Sequence, residues 1–244
     1  MSTLDTTQLL LNVDLAWHPT GRGGARPGAG RPVTRTGVSH DERSRITTHD
    51  PVHVTLRVVP GIPLRNERLA RVIKASLRDS QSSAFSIAHY SIQDNHLHTI
   101  IEADDRPTLA RGMIALSTRI ARRVNRAFHR RGAVFSDRYH ARGLATPTEV
   151  RNGLRYVLLN ARHHVEQHGS RLPATWIDRH SSALAFDGWA APIDQEHTFT
   201  WQPDDFTIVT RPARTWLLGH GWKRHGLLRF DEVPGKGAEF NRTR

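Results

Sequence analysis

A chain of 244 residues with 37% hydrophobic content can bury one core with extensions, and a formal net charge of +12 calls for a polyanionic partner such as nucleic acid. Cysteine is absent, which excludes disulfide frameworks, thiol nucleophiles and thiolate zinc sites together. No stretch approaches the roughly 18 consecutive apolar residues of a membrane span, and MSTLDTTQLLLNVDLAW lacks a basic n-region, so a cytoplasmic protein without membrane contact is expected.

Residues 1–50 read as a flexible arm. Leu9 to Leu11 form a short apolar patch, and residues 20–37 carry six glycines, four arginines and no acid. Gly and Pro at that density prevent a packed core. Arg26 and Arg31, on a thin Gly-rich backbone, are suited to DNA phosphates or a narrow minor groove. Beyond the arm, Val52, Val54, Leu56 and Val58 alternate with polar residues, the mark of a half-buried strand. Leu69, Val72, Ile73 and Leu77 fall at helical spacing within 67–81. Residues 84–92 return to strand character, QDN makes a turn, HLHTII is the next strand, and Asp104 to Pro107 break it. A long helix is expected over 108–129, a fourth strand within 133–142, and a helix from Pro147.

The order β-α-β-β-α-β followed by a helix is the ferredoxin-like split βαβ pattern of the α+β class. It predicts a four-stranded antiparallel sheet with two helices on one face, the other face being left for a ligand or a further helix. The catalytic domain is expected at 51–168. Residues 169–244, which hold Trp201, Trp216 and Trp222, read as a C-terminal extension that packs on the core or grips DNA.

Three features carry chemistry. In a strand alternate side chains share a face, so His96 and His98 point the same way, roughly 7 Å apart, and can chelate one divalent ion. In the helix from Thr146, which opens with the capping box Thr146-Pro147-Thr148-Glu149, Val150, Leu154, Val157, Leu158, Ala161 and Val165 make one apolar stripe. Tyr156 and Asn160 lie off that stripe, one turn apart on one face. Of the three tyrosines, Tyr90, Tyr139 and Tyr156, only Tyr156 has an amide at i+4. Two imidazoles and the Asn160 oxygen would suit Mg²⁺ or Mn²⁺, and Tyr156 would attack phosphorus. Finally, residues 106–142 hold ten arginines, no lysine and one acid, Asp137. Arg119, Arg122, Arg123 and Arg126 lie opposite the apolar side of their helix, which fits phosphate contacts.

DNHLHTII resembles the His-hydrophobic-His (HUH) motif, and RYVLLN resembles the Tyr-x-x-x-Asn signature of REP-associated tyrosine transposases, within the single-tyrosine HUH transposase family. The resemblance covers roughly residues 51–185, including FSDRYHAR and WIDRHSS. It implies a ferredoxin-like core, a Mg²⁺ or Mn²⁺ ion held by His96, His98 and Asn160, and single-stranded or hairpin DNA as partner. It also implies a 5′-phosphotyrosine intermediate on Tyr156. A monomer or homodimer is expected. Ala161 stands where the family usually has Pro, so the helix is expected to run on, bringing His163 and His164 into consideration as third ligand in place of Asn160. Two other classes remain open: a non-catalytic ferredoxin-like nucleic-acid-binding protein, and an HUH replication initiator or relaxase. The latter usually adds a helicase or primase region, and the chain has no GxxxxGK[ST] loop.

Overall fold

The computed structural model describes residues 47–193 and 209–234; the arm with Arg26 and Arg31 lies outside the described residues. Four strands form one antiparallel sheet in the order β2-β3-β1-β4: β1 Val52–Arg57, β2 Phe85–Ile92, β3 His96–Ala103 and β4 His140–Gly143. Helix α1 (Glu67–Arg78) joins β1 to β2, and α2 (Arg106–Ala127) joins β3 to β4. This is the ferredoxin-like topology that the element order predicts. Among the described residues no helix is long and apolar enough to cross a membrane.

Register assigns the two faces. Val54 pairs with Thr99 and Ala141, and Leu56 with Leu97; Thr55 pairs with His98 and His140, and Arg57 with His96. One face therefore carries Val52, Val54, Leu56, Leu97 and Ile101, and the other carries His53, Thr55, Arg57, His96 and His98. A one-residue irregularity in β2 at Ala88 lets Ile87 and Tyr90 stay on the apolar face while His89 and Ser91 join the polar one.

Helices α1 and α2 cover the apolar face. Asn66 caps α1 by accepting from the Arg68 and Leu69 amides, and Asp105 caps α2 by accepting from Thr108. That cap, with Pro107 tolerated in the first turn, starts α2 at Arg106 rather than 108. Leu69, Ile73 and Leu77 of α1 and Leu109, Met113, Leu116, Ile120 and Val124 of α2 bury into the core beneath. The fourth strand is shorter than the expected 133–142. Val134 and Phe135 do pair with the end of β1, through the Val59 amide donating to the Val134 carbonyl and a Val58–Phe135 bridge. Pairing then lapses until His140, so only four residues remain as β4.

Helix α3 (Pro147–Gln167) covers the polar face. Thr146 and Glu149 form the expected capping box, with the Glu149 amide donating to the Thr146 hydroxyl oxygen at 3.2 Å. Arg142 of β4 pairs with the Glu149 carboxylate at 2.8 Å, which ties the helix start to the sheet edge. The stripe Val150, Leu154, Val157 and Leu158 packs with Ala88 and Ile100 of the sheet and with Ile177, Phe186, Trp189, Leu218, Trp222 and Leu228. The described part of residues 169–244 thus packs on the core. Asp178 anchors it by a two-bond contact to Arg65, at 2.8 and 3.0 Å. Buried Glu102 anchors it again by accepting from the Arg214 and Thr215 amides, each at 2.7 Å.

Candidate active site

A strand buried on both sides is normally apolar throughout. The centre of this sheet departs from that: β1 and β3 turn His53, Thr55, His96 and His98 toward α3. His98 and His53 are essentially excluded from solvent, at 0% and 2% exposure. A buried polar group costs free energy unless it is hydrogen-bonded, so each of these side chains asks for a partner.

Helix α3 supplies the other half. Tyr156, Asn160 and His164 recur every fourth residue, which sets them in a row on one helix face. The Tyr156 ring meets His98 edge-on at 5.1 Å between centroids and His53 edge-on at 5.7 Å. His164 meets His96 at 5.9 Å, and His96 meets His98 at 4.5 Å. His163 instead engages Gln167 at 2.8 Å and belongs to the exposed side of the helix end. The helix continues through both histidines to Gln167, as Ala161 leads one to expect.

Hydrogen bonding orients the imidazoles. His96 Nδ1 lies 2.6 Å from the Asn95 side-chain oxygen, an acceptor only, so Nδ1 carries the proton and Nε2 a lone pair. His98 Nδ1 lies 3.1 Å from both Thr55 Oγ1 and His53 Nε2. The buried polar atoms without a hydrogen-bond partner include His98 Nε2, both ends of the Asn160 amide, and His164 Nε2. Asn160 is fully buried, and leaving its amide unmatched would cost about 1–3 kcal/mol. These atoms suit a divalent ion: bare imidazole nitrogens with Nδ1 engaged elsewhere are the usual ligating form, and an amide oxygen is a compatible hard donor. Among the described residues no group of three or more His, Cys, Asp or Glu side chains is arranged to hold a metal.

The electrostatics keep the site neutral. Burial pushes the His53 imidazole down to about 3, helped by His140, Arg142 and His96. Burial likewise holds His96 at about 4, with His164 and Arg57 adding, and drives His98 well below its ordinary range. All three are therefore uncharged near neutral pH, the form that binds metals.

The arginines lie elsewhere. Arg119, Arg122, Arg123 and Arg126 project from α2, which covers the opposite sheet face, so the sheet separates them from Tyr156. Two of them hold α2 to α1: Arg123 pairs with Asp79 at 2.6 Å, and Arg119 donates to the Ser80 hydroxyl. All four, with Arg111, line a groove around Ile114, which is 65% exposed. Sequence reasoning alone does not single out His53 and Thr55. Their signal is present, as polar residues alternating with valines in β1, but a strand with one wet face gives the same pattern.

No family model matches the sequence, and no curated protein matches it. Among solved structures, a REP-associated tyrosine transposase bound to a REP hairpin superposes with a TM-score of 0.46 at 14% identity, over 73% of this chain and 100% of that one.

Proposed function

We propose that this protein is a metal-dependent enzyme that cuts and rejoins single-stranded or hairpin DNA, with Tyr156 as nucleophile and His96, His98 and Asn160 as ligands of Mg²⁺ or Mn²⁺. The observation that carries the reading is the Tyr156 ring packed edge-on against His98, with the buried, unpartnered Asn160 amide one turn further along α3. Neutral donors would leave the ion its full charge for polarising a scissile phosphate. Tyr156 would give up its phenolic proton and form an O–P bond to the 5′-phosphate while the P–O3′ bond breaks. The departing oxygen takes a proton and becomes a 3′-hydroxyl. A second 3′-hydroxyl attacking the same phosphorus would restore a phosphodiester and release Tyr156, so the ester conserves the bond energy and no nucleotide is spent. Transposition is the fullest form of that chemistry, and Arg122 and Arg126 of α2 would hold DNA phosphates beyond the site.

A purely nucleic-acid-binding role is less well supported. Sheets of this topology that bind RNA do so by stacking bases on exposed aromatics of the open face, and here α3 covers that face. The test is incubation with labelled hairpin single strands and Mn²⁺. A protease-sensitive covalent adduct is expected, lost with EDTA and lost in Tyr156→Phe while DNA affinity persists. Unchanged cleavage by Tyr156→Phe would overturn the assignment. Transfer of the adduct to a second strand would separate a transposase from a nicking initiator or relaxase.

A further inference from the structure

His53 is a buried imidazole beside the proposed ligands to which the proposed chemistry assigns no role. Its ring stacks on His98 with centroids 5.1 Å apart and planes at 28°, and its Nε2 lies 3.1 Å from His98 Nδ1. A neutral imidazole has one donor and one acceptor nitrogen. The shared hydrogen bond therefore has two settings. If His53 Nε2 carries the proton and donates, His98 Nδ1 is the acceptor and His98 must carry its own proton on Nε2. If His98 Nδ1 donates instead, His98 Nε2 is a bare lone pair. Only the second setting makes His98 a ligand. Thr55 Oγ1, also at 3.1 Å, does not decide between them, because a hydroxyl rotates to donate or to accept.

Resting on the metal-site reading above, we propose that His53 is a positioning residue for His98: its Nε2 accepts the His98 Nδ1 proton and thereby selects the tautomer whose Nε2 faces the ion. That position is commonly held by a carboxylate or a backbone carbonyl. Here the site contributes a neutral imidazole from the neighbouring strand, in direct register through the Thr55–His98 pair two residues along β1. Because a neutral acceptor can also donate, metal binding and the proton's place in the His53–His98 bond are coupled.

The test measures Mn²⁺ affinity by calorimetry in the full chain, with no DNA present. His53→Leu, similar in bulk but unable to accept, should weaken binding about 10–100-fold. His53→Gln, whose side-chain oxygen reaches about as far as Nε2, should restore affinity to within a few fold. His53→Asn, which stops about where Nδ1 stands, should not. With Zn²⁺ as a diamagnetic probe, ¹⁵N imidazole spectra should show His98 protonated at Nδ1 in the wild type and a tautomer mixture in His53→Leu. Absence of Mn²⁺ binding by the wild type would overturn the metal-site reading itself. Wild-type binding with equal affinity in Leu, Gln and Asn variants would overturn the role of His53 alone. If the Leu variant does not fold, the Gln and Asn pair still decides, since equal affinities would refute the proposal.

Discussion

Asn160 occupies a position that the described residues do not explain: a fully buried amide with neither its oxygen nor its nitrogen hydrogen-bonded among them. Replacing such a group by an apolar one of similar shape removes a desolvation cost of about 1–3 kcal/mol. Asn160→Leu is therefore expected to raise the melting temperature of the metal-free protein while lowering Mn²⁺ affinity. The opposite sign is expected of a structural amide, whose loss would destabilise. Thermal unfolding of the variant in EDTA, alongside calorimetry with Mn²⁺, distinguishes the two. His96→Ala should behave differently. It removes a proposed ligand whose Nδ1 bonds to the exposed Asn95 side chain, so Mn²⁺ binding should weaken with little change in metal-free stability.

On α2, Arg119, Arg122, Arg123 and Arg126 share one groove, and two of them also bond to the chain just after α1. Arg123 is committed to Asp79 of the loop after α1, and its hydrogen bond holds the Asp79 carboxyl below the usual carboxylate range. Being part-exposed, that pair is worth about 0–1 kcal/mol. Arg122 and Arg126 line the same groove as Arg123, on the surface of α2. The double change Arg122→Ala with Arg126→Ala should flatten the salt dependence of DNA binding by about one unit of slope for each phosphate that is no longer neutralised. Its melting temperature should stay close to wild type. Arg123→Ala should instead lower stability slightly. An unchanged salt slope in the double variant would assign the groove to solvent.

Across the whole molecule, buried neutral histidines make stability depend on acid. In the unfolded chain each takes up a proton near 6.5; folded, His53 resists until about 3 and His89 and His96 until about 4, in each case chiefly because burial disfavours the charged imidazole. Between those limits the unfolded state binds more protons. Stability is thus fully present above about pH 6.5 and falls as pH drops toward about 4. Each such histidine removes about 1.4 kcal/mol per pH unit inside its window, and a few together approach the whole stability of an ordinary domain, about 5–15 kcal/mol. A steep fall in melting temperature between about pH 6.5 and 4.5 is expected. His89→Leu should make that fall shallower, since His89 stands apart from the proposed ligands, beside Ser182 and Phe186. A flat profile over this range would show that the imidazoles protonate without unfolding.

Much of this is legible in the order of the residues, because the signals are local. The alternation of valines in β1, the capping box at Thr146 and the four-residue step from Tyr156 to Asn160 are each local, set by the chain without help from distant parts. His96 and His98 share a face for the same reason. The Asp105 cap, which starts α2 at Arg106, did not show in that way. Relations between elements, by contrast, came from folding. Strand register brought His53 against His98, across 45 residues of chain. The placement of α3 turned the sheet's polar face into a buried one. The packing of α2 on the other face put the arginines on the far side of the sheet from Tyr156. Such relations are settled by which apolar surfaces bury against which, and a side chain's own neighbours in sequence carry no record of that choice.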